Sequence, residues 1–100
     1  MIKDDKGYPT VKELLTIIER QVYKCALSGV EIDPRRSSLD HKNPRSLGGP
    51  SDVDNLQVVL PVINRAKGTN NNDQYISMCW AVARNNPDPG DTTWMYGLIE

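Results

Sequence analysis

One hundred residues allow one domain with a modest core, and 38% apolar against 25% charged residues is the balance of a water-facing globular chain. Two cysteines are too few for a disulfide framework or a four-cysteine zinc site. No apolar run approaches the ~20 residues that a membrane helix needs, and the first ten residues hold no apolar stretch of a secretory signal. The expected setting is therefore the cytoplasm, with free thiols and no membrane partner. The formal net charge of −1 argues against a protein that lives only by binding polyanions. The charge is uneven, however: residues 20–70 carry eight Lys or Arg against five acids, a net of +3.

Residues 1–9 mix charges with Gly7 and Pro9 and are expected to fray. Thr10 followed by Glu13 fits a capping box, and Val11, Leu14, Leu15, Ile17, Ile18, Val22 and Cys25 follow as a helical stripe. The spacing predicts a helix over 11–24 with Lys12, Glu19 and Arg20 exposed. Gly29 marks a turn, and residues 35–41 alternate as a strand. Residues 42–55 have no apolar periodicity and are rich in Pro, Gly, Ser, Asn and Asp, so they form a loop, long enough to suggest function.

Residues 56–60 read as a second strand. Pro61 suits the first position of a short helix over 62–67, and Gly68 its left-handed stop. Asp73 is the expected N-cap of a last helix, whose stripe is Tyr75, Ile76, Met78, Cys79, Val82 and Ala83. Residues 87–100 are apolar enough at Trp94, Met95, Tyr96, Leu98 and Ile99 to dock on the domain. Trp80 and Trp94 are expected to pack rather than to stack on bases. The fold class is α+β: one domain over 1–100, a two-stranded hairpin plus short helix, flanked by helices that supply most of the apolar area.

The chemistry lies in residues 40–68, DHKNPRSLGGPSDVDNLQVVLPVINRAKG. His41 is the only histidine and directly follows Asp40. A carboxylate is a hard oxygen ligand, and a neutral imidazole accepts a proton near pH 7. Asn64 sits where a hairpin would return the short helix beside Asp40, and its carbonyl can serve as a second oxygen ligand. Asn55 lies where loop becomes strand, and its amide can brace backbone groups near His41.

These residues together resemble the HNH endonucleases, the ββα-metal or His-Me finger nucleases. The family pattern runs Asp-His, a proline three positions on, Gly-Gly, Asn-Leu, then His or Asn followed by Lys-Gly. This chain has Asp40-His41, Pro44, Gly48-Gly49, Asn55-Leu56, Asn64 and Lys67-Gly68, over about thirty of its hundred residues. The resemblance implies that Asp40 and Asn64 hold one divalent metal, that His41 is the general base, and that Asn55 orients the loop. Asn at the third motif position makes this an HNN form, in which Mg²⁺ or Mn²⁺ suits the oxygen ligands better than zinc. Many members carry two Cys-x-x-Cys pairs around a structural zinc. Here Cys25 stands before Ser28 and residues 60–63 contain no cysteine. No structural zinc is expected; Leu60, Val62 and Ile63 replace it as core, and Cys25 and Cys79 become buried apolar residues.

The implied function is hydrolysis of DNA phosphodiester bonds, nicking or cutting both strands, leaving 5′-phosphate and 3′-hydroxyl ends. Lys42, Arg45, Arg65 and Lys67 flank the site as candidate phosphate contacts. The alternative is a non-catalytic DNA-binding module on the same fold. The sequence leaves open DNA against RNA, monomer against homodimer, and membership of a larger phage or mobile-element machinery.

Overall fold

The computed structural model describes residues 9–88 and 90–95. It is a small α+β domain. Helix α1 spans Val11–Arg20, strand β1 Ser38–His41, strand β2 Leu56–Val59, helix α2 Pro61–Lys67 and helix α3 Asn72–Arg84. The two strands form one antiparallel sheet in which Ser38 faces Val59, Leu39 faces Val58, Asp40 faces Gln57 and His41 faces Leu56. Among the described residues no helix is long and apolar enough to cross a membrane.

Helix α1 starts at the expected capping box: Glu13 N donates to Thr10 Oγ1 and Thr10 N to Glu13 Oε1. It ends at Arg20, four residues before the expected boundary. The cause is tertiary. The Gln21 amide leaves the helix direction to bond strand β2, with Oε1 accepting from Val58 N and Nε2 donating to Val58 O, both at 2.8 Å. Val22 and Tyr23 then take left-handed backbone angles, φ 55° and 56°, and turn the chain back towards the sheet. A two-stranded sheet has two free edges, and here one side chain covers part of the β2 edge as a neighbouring strand would.

The sheet end of the following turn is held by Cys25. Its buried Sγ accepts from the N–H of Ser28 and of Leu60, each at 3.4 Å. All four residues of β2 are buried, so both of its faces are covered. The core comprises Ile17 and Ile18 of α1, Cys25, Ile32, and Leu56, Val58, Val59 and Leu60, with Val62 and Ile63 packed against it. Pro61 opens α2 as expected, and Gly68, at φ 58°, ends it.

Helix α3 departs from expectation. Its N-cap is Asn71, in a capping box with Gln74, not Asp73. It contributes no buried residue, so the apolar area comes from α1, the turn after it and β2 rather than from both flanking helices. Ile76, Met78, Val82 and Trp80 stay exposed, and Cys79 is exposed where burial was expected. Beyond the first turn, the Tyr75 edge turns inward: desolvation, then a side-chain bond with Cys79, pushes its phenol up to about 12. Trp94 is exposed too, whereas Met95 packs on the core; residues 96–100 of the expected docked tail, and residues 1–8 of the expected frayed start, lie outside the described residues.

Gln21→Ala is expected to lower stability by about 1–3 kcal/mol, because the Val58 N–H loses its partner and the carbonyl one of its donors. Urea unfolding of the two proteins measures this; an unchanged midpoint would mean that water replaces the amide.

Candidate functional site

The β1–β2 loop is built to a fixed shape. A 3-10 turn over Arg45–Leu47 ends at Gly48, whose φ of 86° favours glycine. Gly49 is buried, and a Cβ there would overlap the Asn43 carbonyl oxygen. Asn55 ties the two ends of the loop. Its Oδ1 accepts from Asn43 N at 3.0 Å, and its Nδ2 donates to Asn43 O at 3.0 Å and to Pro50 O at 2.6 Å. That leaves Ser51 beside the histidine, with Ser51 Oγ 2.9 Å from His41 Nε2. His41 is half-buried at the end of β1. The ladder closes just beyond it, where Lys42 N donates to Asn55 O.

Asp40 points the other way along the strand, as neighbouring strand residues do, and is buried. Its Oδ2 lies 3.0 Å from Lys67 Nζ and accepts from Gln57 Nε2 at 2.8 Å. Lys67 also donates to the backbone carbonyl of His41 at 2.6 Å. Gln57 is fixed by Asn72: Gln57 Nε2 donates to Asn72 Oδ1 at 2.8 Å, and Asn72 Nδ2 to Gln57 Oε1 at 3.1 Å. Asn72 N closes the circuit by donating to Lys42 O.

Lys67 was expected at the surface as a phosphate contact. It is instead fully buried, and its ammonium is committed to Asp40 and His41. A charge buried in this way must be paired, so it is not available to DNA. Lys42, Arg45 and Arg65 remain exposed on the surface.

Asn64 lies one turn before Lys67 on α2, so the two share a face of that helix, and α2 packs on β1. Among the described residues its side-chain amide has no hydrogen-bond partner, unlike Asn55, Asn71 and Asn72. Asp40 and Asn64 are both oxygen donors. No group of three or more His, Cys, Asp or Glu that could hold a metal occurs among the described residues. Any ion held there would complete its shell with water or substrate oxygen, which suits Mg²⁺ or Mn²⁺ and not zinc.

Gln57, Ser51 and Asn72 were not among the sequence candidates. Gln57 carries one weak signal, an amide inside a strand otherwise made of Leu and Val. Comparison with known proteins adds no family: no family model and no curated protein matches the chain.

Asn55→Asp is expected to loosen the loop although it keeps the size. The change replaces a donor facing two carbonyls with an anionic oxygen, and losing these partly exposed bonds costs about 1 kcal/mol. Amide hydrogen exchange at Asn43 should rise sharply; parent-like protection would show that Asn55 does not hold the loop.

Proposed function

We propose that the chain is a metal-dependent DNA endonuclease of the HNH type in its HNN form. The observation that carries this reading is the end of β1. There Asp40 and His41 leave neighbouring positions on opposite faces of the strand, the carboxylate fixed by buried partners and the imidazole beside Ser51, with the helix that carries Asn64 packed on the same strand. The motif spacing of residues 40–68 adds support.

In this reading Asp40 and Asn64 hold one divalent ion, Mg²⁺ or Mn²⁺. A divalent ion there would supply Lewis acidity to a non-bridging phosphate oxygen and to the departing 3′ oxygen. His41 takes the proton of the attacking water. The contact of Nε2 with Ser51 Oγ orients the ring for that role. Asn55 acts at one remove, by holding the loop that carries Ser51. Lys42, Arg45 and Arg65 contact flanking phosphates, and the products carry 5′-phosphate and 3′-hydroxyl ends.

Chelation with EDTA should abolish cleavage of plasmid DNA, and Mg²⁺ or Mn²⁺ should restore it. His41→Ala should keep the fold and lose about 10² to 10⁴ in single-turnover rate at saturating metal. Full cutting in EDTA, or a parent-like rate for His41→Ala, refutes the mechanism. DNA binding without any cleavage by the parent protein points to a binding module instead.

A further inference from the structure

Asp40 brings one negative charge to the site and Lys67 one positive charge, 3.0 Å away and with no exposed surface. Asn64 adds none. The side chains that would surround a cation therefore sum to zero charge. Oδ2 is filled by Lys67 and Gln57, and the Gln57–Asn72 pair prevents the carboxylate from turning. Only Oδ1 is left to face a cation, one oxygen whose charge is already shared with an ammonium.

Divalent affinity falls as the ligand charge falls, and an ammonium beside the site repels a cation further. The missing negative charge has one source in the proposed reaction, the DNA phosphate. We propose that Lys67 is an internal counter-cation that makes divalent-metal binding at Asp40 and Asn64 depend on the substrate phosphate. This rests on the metal-dependent reading above. In the absence of DNA the ammonium stands in for the metal and keeps the buried carboxylate compensated. When DNA docks, its phosphate supplies the charge that the protein withholds. Metal and DNA then tighten each other by the same factor, since coupling between two ligands is reciprocal.

The test uses the full chain carrying His41→Ala, so that DNA stays intact. Affinity for a short fluorescent duplex is measured by anisotropy with EDTA and with Mn²⁺, and Mn²⁺ binding without DNA by calorimetry. The expected result is at least a tenfold gain in DNA affinity with Mn²⁺, and weak Mn²⁺ binding alone. Asn64→Asp, at a half-exposed helix position, and Lys67→Met, which removes the ammonium, are each added to this background. Each shifts the site's charge by −1, and each should bind Mn²⁺ without DNA at least tenfold more tightly. Lys67→Met should also melt early in EDTA and regain stability with Mn²⁺.

Tight Mn²⁺ binding by the His41→Ala protein without DNA overturns the inference and leaves the nuclease reading standing. So does an Asn64→Asp protein that still needs DNA to bind Mn²⁺, even if Lys67→Met does not fold. No Mn²⁺ effect in any protein, with or without DNA, overturns the metal reading and the inference together.

Discussion

An ammonium and a carboxylate share the interior of this domain, and four elements meet at that pair. Lys67 reaches it from α2, Asp40 from β1, Gln57 from β2, and Asn72, at the first turn of α3, fixes Gln57. Taking two charges out of water is expensive, and attraction offsets the cost only when the remaining hydrogen-bonding groups find partners. Two such bonds are made here: the same ammonium donates to the His41 carbonyl, and the same carboxylate oxygen accepts the Gln57 amide. Removing either ion would strand the other, so the arrangement specifies one packing of α2 on the hairpin rather than a family of similar ones. An apolar pair in its place would hold the elements together without fixing the rotation of the helix to within a hydrogen bond.

The rest of the scaffold solves the weakness of a two-stranded sheet, which is marginal alone in water. Among the described residues only eight apolar side chains form the buried core. Polar contacts therefore carry part of the assembly. Gln21 bonds the edge of β2, and the Cys25 sulfur accepts from Leu60 N at the corner where strand becomes helix. Each ties a residue of the first third of the chain to β2 or its end. Chain order explains their place: α1 is formed locally, and these two contacts bring it to a strand more than thirty residues later.

Much of this was legible in residue order. Thr10 and Glu13 mark the start of α1, Pro61 the start of α2, and the Gly-, Pro- and Asn-rich run the loop, because each signal acts within one turn of chain. What was not legible depends on distant partners. The stripe through Val22 promised four more helical residues, but Gln21 is claimed by Val58. Asp73 and Asn71 are both good caps, and Asn72 decides between them by bonding Lys42 O and Gln57. Lys67 has the spacing of a surface cation on a helix that also carries Arg65. Nothing in its neighbours says that one of the two cations is fully buried and the other exposed. Trp80 and Cys79 looked like core by composition, yet α3 touches the domain mainly through its first turns.

Strand parity explains how the two site residues are set independently. Asp40 and His41 are adjacent, so their side chains leave β1 on opposite faces. Asp40 is oriented from within the fold, by Gln57 and Lys67. His41 is oriented from the loop, through Ser51, whose position follows from the Asn55 bonds at Pro50. Lys67 bonds both residues, Asp40 at its carboxylate and His41 at the backbone carbonyl. It therefore fixes where the strand ends without constraining the imidazole. The imidazole and the carboxylate are thus held by separate sets of partners, one from the loop and one from the interior.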